Sequence, residues 1–297
     1  MTSSDIARWP SWSRLRFEHK PLLEALASPD PYCDWTFATL WSSDTEEEVA
    51  LARLGAGIAL RLPSYPPGGP EDFSLNGRPS AADVATFVAE HGTTSLVPKP
   101  VMDGLALSNC VAVDDRDQYD YVYDVAESLA MAGGRYQRLR GVVRKSRSRN
   151  PDASLGEVVL SDPGAVAELV EVFDDWATGR EAKASVERRA FLRCLDIASV
   201  ADLRCAVVGG PNGLLAFAIL APQANGWAVT PFAKTRRSCP DVGGLLWRAV
   251  LELGEAQGWR WFNYEQDLGL PGLRQYKRSL RPARMLEKVR LAPAAAE

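Results

Sequence analysis

Residues 203–232 read LRCAVVGGPNGLLAFAILAPQANGWAVTPF. Leu203–Val208 and Leu214–Leu220 are apolar runs joined by Gly-Pro-Asn-Gly, the composition of a hairpin turn, and Trp227–Phe232 is a third run. Three antiparallel strands in succession are expected from that spacing. Upstream, Leu155–Leu160 alternates as a strand. Asp162-Pro163 opens a helix with proline at its first position, and Val166, Leu169, Val170, Phe173 and Trp176 share one face. A second helix is expected over Ser185–Ala198. Downstream, Asp241 is expected to cap a helix with Leu245, Leu246, Ala249, Val250 and Leu253 on one face, ended by Gly258. Trp259–Tyr264 then reads as a strand. Periodicity alone supports an α/β domain with a mixed sheet.

The first half is read less sharply. A Trp/Pro-rich arm covers Arg8–Pro21. A strand is expected over Asp34–Leu40, an acidic helix over Thr45–Leu54, a strand over Ile58–Leu62 and a turn over Pro63–Pro70. Ser80 and Asp83 form a capping box for a helix to about Glu90, with Val84, Phe87 and Val88 inward. Val111–Val113 is a short strand, and Tyr121-Val122-Tyr123-Asp124 leads into a helix ending at Gly133-Gly134. Asn150-Pro151-Asp152 is the expected link between two domains, residues 1–150 and 151–297.

A chain of 297 residues with 46% apolar and 24% charged side chains is a globular protein long enough for two domains. No apolar run reaches the roughly 18 residues of a membrane span. Met1–Pro10 carries Asp5 and no apolar core, so it does not read as a signal peptide. Cys33, Cys110, Cys194, Cys205 and Cys239 are scattered and lack CxxC spacing, which points to a reduced, cytoplasmic protein with no metal centre. His19 and His91 are too few for a histidine-based metal site or triad.

The net charge of -4 argues against a general nucleic-acid binder, but the charge is unevenly placed. Arg135 to Arg149 holds seven basic residues and no acid, and Arg274 to Arg290 holds seven against Glu287 alone. Such stretches fit a local anion site, or two solvated helix faces.

Residues 261–281, WFNYEQDLGLPGLRQYKRSLR, carry the densest chemistry. An apolar strand runs into Asn263, Glu265, Gln266 and Asp267, then a Gly/Pro turn, then the basic segment. Carboxylates at a strand end can act as a general base or simply cap the turn. Asn-x-Glu-x-Asp-x-Gly-x-x-Gly-Leu-Arg-x-x-Lys resembles a segment of the C-terminal catalytic domain of phosphatidylglycerol lysyltransferases and that domain's soluble relatives. Asp120–Lys145 resembles a second block of the family, through Tyr121, Tyr123, Asp124, Leu129, Ala130, Gly134 and Arg140; Gly141 stands where relatives commonly have Asn. Thr230-Pro231-Phe232-Ala233-Lys234 resembles a third. The resemblance spans about residues 119–288.

The resemblance implies tandem GNAT-like (acetyltransferase-fold) domains with mixed, mainly antiparallel sheets. It further implies a soluble aminoacyltransferase that moves an amino acid from aminoacyl-tRNA to a small-molecule amine, hydroxylamine or hydroxyl, as in natural-product assembly, with no cofactor. Asp267 or Glu265 is then the base, with Asn263 beside them and Lys234 or backbone N–H groups at the oxyanion. Arg140, Arg144, Arg274, Lys277, Arg281 and Arg284 hold phosphates of the tRNA acceptor end. Tyr121 and Tyr123 line the site or pack with one wetted hydroxyl. In a GNAT fold the helix start after the central strand binds the donor's anionic part. Here Arg236-Arg237-Ser238-Cys239-Pro240-Asp241-Val242-Gly243-Gly244 departs from the usual CoA loop. A CoA-dependent N-acyltransferase and a non-catalytic RNA- or partner-binding module remain the rival readings.

Overall fold

The computed structural model describes residues 6–27, 29–63, 71–107 and 109–294. From residue 64 the turn expected over Pro63–Pro70 lies outside them, as do the first five residues of the Met1–Pro10 segment. The chain forms two compact units: Met1–Asp120 with Gln266–Leu270 and Met285–Glu297, and Tyr121–Glu265 with Pro271–Arg284. Asn150, at the expected link, lies within the second.

The first unit contains β1 (Ser13–Arg14), α1 (Lys20–Leu26), α2 (Phe37–Ser43), β2 (Ala50–Leu54), β3 (Ala56–Leu62), β4 (Asp72–Arg78), α3 (Ala81–His91), β5 (Thr94–Pro98), α4 (Lys99–Met102) and β6 (Cys110–Asp114). β1-β2-β3-β4 is an antiparallel sheet. The Ser80–Asp83 capping box is present in full: Ser80 Oγ accepts from the Asp83 N–H, and the Asp83 carboxylate accepts from the Ser80 N–H. The core gathers Leu54, Phe73, Leu75, Val84, Phe87 and Val88 with Val97 and Met102.

Two expectations fail here. Asp34–Leu40 is not a strand: Cys33–Trp35 is a 3-10 turn and Thr36 caps α2, its Oγ1 accepting from the Thr39 N–H. Thr45–Leu54 is not a helix either. Its acidic residues lie in a turn, and Ala50–Leu54 is strand β2, four of its five residues buried. With both faces of the strand covered, no period-two pattern is left in the sequence.

The chain continues with β7 (Asp120–Asp124), α5 (Val125–Ala130), α6 (Gln137–Arg149), β8 (Ser154–Val158), α7 (Pro163–Ala177), α8 (Glu181–Asp196), β9 (Arg204–Gly210), β10 (Gly213–Gln223), β11 (Trp227–Thr235), α9 (Gly243–Ala256), β12 (Trp261–Asn263), α10 (Pro271–Ser279) and β13 (Arg284–Leu286), all in the second unit except Asp120 and Met285–Leu286. The sheet order is β13-β7-β12-β11-β10-β9-β8. Among the pairs described, β11 with β12 is parallel and the rest are antiparallel. α7 starts at Pro163 with the Asp162 side chain accepting from the Gly164 N–H, as its sequence requires. Phe173 and Phe191 stack at 4.9 Å, and Phe191 meets Phe217 at 5.3 Å. Asp241 does not cap α9, which begins at Gly243 after a 3-10 turn. The helix expected to reach Gly133-Gly134 ends at Ala130, with Met131 left-handed at its C-cap.

The last strand, β14 (Lys288–Pro293), belongs to the first unit, between β5 and β6 and antiparallel to both. Its Val289 and Leu291 join that unit's core. Among the described residues, no helix is long and apolar enough to cross a membrane.

Candidate functional site

The second unit's sheet opens between its two parallel strands. Trp227 pairs with Trp261, Ala228 with Phe262 and Val229 with Asn263; β12 then ends while β11 continues to Thr235. Sequence forces the separation. Pro231 has no N–H for the ladder, and Thr230 and Pro231 together face Leu220 of β10, a bulge in the β10–β11 register. An opening past the carboxyl ends of parallel strands is where α/β sheets present ligand sites.

The β12 side of the opening is polar and firmly held. Asn263 is fully buried, and its Oδ1 accepts from the Glu265 N–H at 2.8 Å, a side-chain turn that bends the chain. Glu265 follows at φ 56°, in the left-handed region, and is half-buried. Strand β7 clamps this segment, with Tyr121 N–H donating to Glu265 O at 3.1 Å and Tyr264 N–H to Tyr121 O at 2.9 Å. Lys277, from α10, is 5% exposed. Its Nζ donates to Tyr264 O and lies 5.1 Å and 5.8 Å from the Tyr264 and Tyr121 ring centres. Aromatic faces suit a desolvated ammonium. Tyr121 and Tyr123 are buried. The Tyr123 hydroxyl donates to Lys277 O at 2.8 Å, and burial pushes that phenol well above its ordinary value.

The β11 side carries Lys234, whose Nζ pairs with Glu187 and lies 4.0 Å from the Trp176 ring centre. Asp267 lies in the first unit with a fully buried side chain. Its Oδ1 accepts from the Gly269 N–H at 3.0 Å, its Oδ2 is 3.4 Å from Arg116 Nη1, and its main-chain oxygen accepts from the Leu270 N–H. These are the contacts of a carboxylate that holds a turn.

The basic residues of α6, of α10 and of the segment after it as far as Arg284 fall in the second unit but differ in task. Arg140 donates to Met131 O and Gly133 O, closing the end of α5. Arg144 is exposed on α6, a helix of 13 residues without an acid. Arg274 is half-buried on α10. Arg281 is exposed and left-handed at φ 67°, its carbonyl accepting from Arg135. The Arg284 guanidinium covers Trp227 and Trp261 at 5.1 Å and 5.3 Å.

The segment before α9 is tied to α6. Lys145 and Arg149 of α6 grip the Asp241 carboxylate and hold it below its usual range, Arg149 foremost. A Cβ on Gly244 would stand 2.6 Å from Ser146 Oγ and 3.2 Å from Val142 O, so α6 packs directly on the first turn of α9.

Sequence reasoning missed a cluster in the first unit. Lys288 Nζ, fully buried, donates to Asp34 and to Asp120, and lies 3.5 Å from Cys33 Sγ. Gln266 accepts from the Cys33 thiol at 2.8 Å and donates to Asp34 at 3.2 Å. Burial raises Asp34 above the ordinary carboxylate range, and Asp120 adds to it against the pull of Lys288. Burial opposes the charge on Lys288, but Asp120 and Asp34 hold it well above its ordinary value. The ligand atoms of Cys33, Asp34 and Asp120 lie within 4.8 Å of one another, a spacing a metal ion could use, yet the lysine ammonium already stands among them as the cation. Asp120 heads the Asp120–Lys145 block, but nothing local in the sequence ties it to Lys288.

The family described as "Phosphatidylglycerol lysyltransferase, C-terminal" matches residues 83–291, more than half of the chain. A search of curated proteins found no match. Among solved structures, a conserved protein of unknown function from Bacteroides thetaiotaomicron superposes with a TM-score of 0.80 at 17% identity, over 95% of this chain and 99% of that one. L-PGS from Bacillus licheniformis gives 0.62 at 13%, over 99% and 95%. A tandem GNAT protein from the clavulanic acid biosynthesis pathway gives 0.51 at 14%, over 97% and 99%. The fold is therefore the GNAT-like one, with mixed, mainly antiparallel sheets.

Proposed function

The chain belongs to the phosphatidylglycerol lysyltransferase C-terminal family, and on that premise we propose that it is an aminoacyltransferase that takes its amino acid from aminoacyl-tRNA and gives it to a small amine, hydroxylamine or hydroxyl compound. The observation that carries the choice of donor is the start of α9. A CoA-type donor needs a free helix start for its pyrophosphate. Here α6 packs on that first turn at Gly244, and Asp241 is the anion beside it. Instead α6, a helix with no acid of its own, presents Arg144 to solvent, a cation suited to an RNA backbone.

The donor ester is already activated, so the protein has to align the acceptor, remove its proton and steady the tetrahedral oxyanion. Glu265 is the proposed base, since it stands half-buried where β12 ends. Asp267 is assigned to the turn it holds, and Lys277 and Asn263 to fixing the backbone around Tyr264 and Glu265. No step calls for a metal or cofactor.

Fluorescence anisotropy with charged tRNA at several salt concentrations tests the donor. About four phosphate contacts give a log–log slope near -3. Micromolar CoA binding, insensitive to salt, with no affinity for tRNA reverses the assignment in favour of a CoA-dependent acyltransferase.

A further inference from the structure

Thr230 is 3% exposed, and its Oγ1 has no hydrogen-bond partner among the described residues. A buried hydroxyl without a partner destabilises a fold, and a valine of the same shape avoids the cost. The residue stands where β11 leaves β12, one place beyond the last pair, Val229 with Asn263, and in the bulge opposite Leu220. A second buried donor stands against the adjoining segment. Trp247 Nε1 also lacks a partner among the described residues, and its ring stacks on Tyr264 at 5.9 Å. Both donors are neutral, which suits a carbonyl oxygen better than a phosphate. Lys234, the charged alternative on β11, already pairs with Glu187.

We propose that Thr230 is a catalytic residue whose hydroxyl donates a hydrogen bond to the carbonyl oxygen of the acyl group being transferred. The inference rests on the acyl-transfer reading above, but is common to a tRNA ester and a CoA thioester. The acceptor nitrogen attacks the carbonyl carbon, and the C=O electron pair moves onto oxygen, where Thr230 meets it while keeping its own proton. Collapse of the intermediate breaks the bond to the ribose oxygen. That oxygen leaves with the proton removed from the acceptor amine, giving an amide and a free ribose hydroxyl.

The test compares wild type, Thr230→Val and Thr230→Ser in single-turnover transfer to ethanolamine, from bulk tRNA charged with labelled amino acids and, separately, from acetyl-CoA. Thr230→Val is expected to lose about 10²-fold in rate, the scale of one oxyanion donor, with donor affinity nearly unchanged. Thr230→Ser keeps the hydroxyl and should retain most of the rate. Because the hydroxyl has no partner among the described residues, Thr230→Val should melt no lower than wild type and up to about 2–4 °C higher. Transfer from acetyl-CoA alone, with the same loss in Thr230→Val, rejects tRNA as donor and sustains the Thr230 assignment. A wild-type rate in Thr230→Val, a clearly lowered melting temperature, or no wild-type transfer from either donor overturns it.

Discussion

Lys288 Nζ lies 2.6 Å from Asp120 Oδ1, and neither side chain reaches solvent. One ammonium thus serves two carboxylates, since Asp34 is bonded to the same nitrogen. Such a lysine cannot be removed without stranding negative charge in the interior. Lys288→Met is expected to cost about 3–5 kcal/mol, the usual result of breaking a buried pair from one side. Urea unfolding of the full chain measures it; a loss below about 1 kcal/mol would show that Asp34 and Asp120 find other partners.

Glu265 and Asp267 should separate cleanly. Glu265→Gln keeps the shape of the side chain and removes its basicity, so single-turnover transfer should fall about 10²–10⁴-fold with an unchanged melting temperature. Asp267→Asn weakens the Arg116 pair and the cap on Gly269, so its main effect should be on melting temperature. Opposite results, with Asp267→Asn inactive and fully stable, move the base to Asp267.

Arg144 is exposed on an acid-free helix, whereas Arg140 is spent on Met131 and Gly133. Arg144→Ala should weaken tRNA binding at low salt and reduce the salt slope by about 1, without changing stability. Arg140→Ala should lower the melting temperature through the end of α5. Identical salt slopes for wild type and Arg144→Ala take α6 out of the RNA surface.

His91 gives the first unit a pH dependence. Its Nε2 accepts from Trp9 Nε1–H at 3.1 Å, and its ring packs against Phe73 and Phe87 at 4.3 Å and 4.5 Å. Burial lowers its pKa, against the raising effect of Glu90 and Glu71. The folded form therefore binds this proton more weakly than the unfolded chain. The contribution is present above the unfolded value of about 6.5 and is lost as pH falls below it towards the folded value. Unfolding free energies measured from pH 7.5 to 5 should decline in wild type and decline less in His91→Gln, which keeps a polar acceptor but does not titrate.

Local chemistry was legible where it acts within a few residues. The Ser80–Asp83 box, Pro163 at the start of α7 and the Gly-Pro-Asn-Gly hairpin are all decided by neighbours in sequence, and all stand as read. The helix expected over Thr45–Leu54 fails because burial of Ala50–Leu54 on both faces erases alternation, and the strand expected over Asp34–Leu40 fails because Thr36 restarts the backbone as a helix. The family motif lies at the end of β12, and the contacts of its residues are set by partners the motif does not show. Lys277 looks like a phosphate ligand in sequence and is a buried anchor of Tyr264 in the fold. The Asp34–Asp120–Lys288 cluster joins residues 254 positions apart, beyond any local pattern.

The placement of β14 between β5 and β6 also bears on synthesis. A ribosome emits Tyr121–Glu265 as one continuous length, while β5 and β6 still wait for a neighbour encoded further downstream. Until Lys288–Pro293 emerges, each of those strands has an edge open to a stray partner, another nascent chain included. The first unit is thus completed only after the second has been made, and its quality depends on what shields those edges in between.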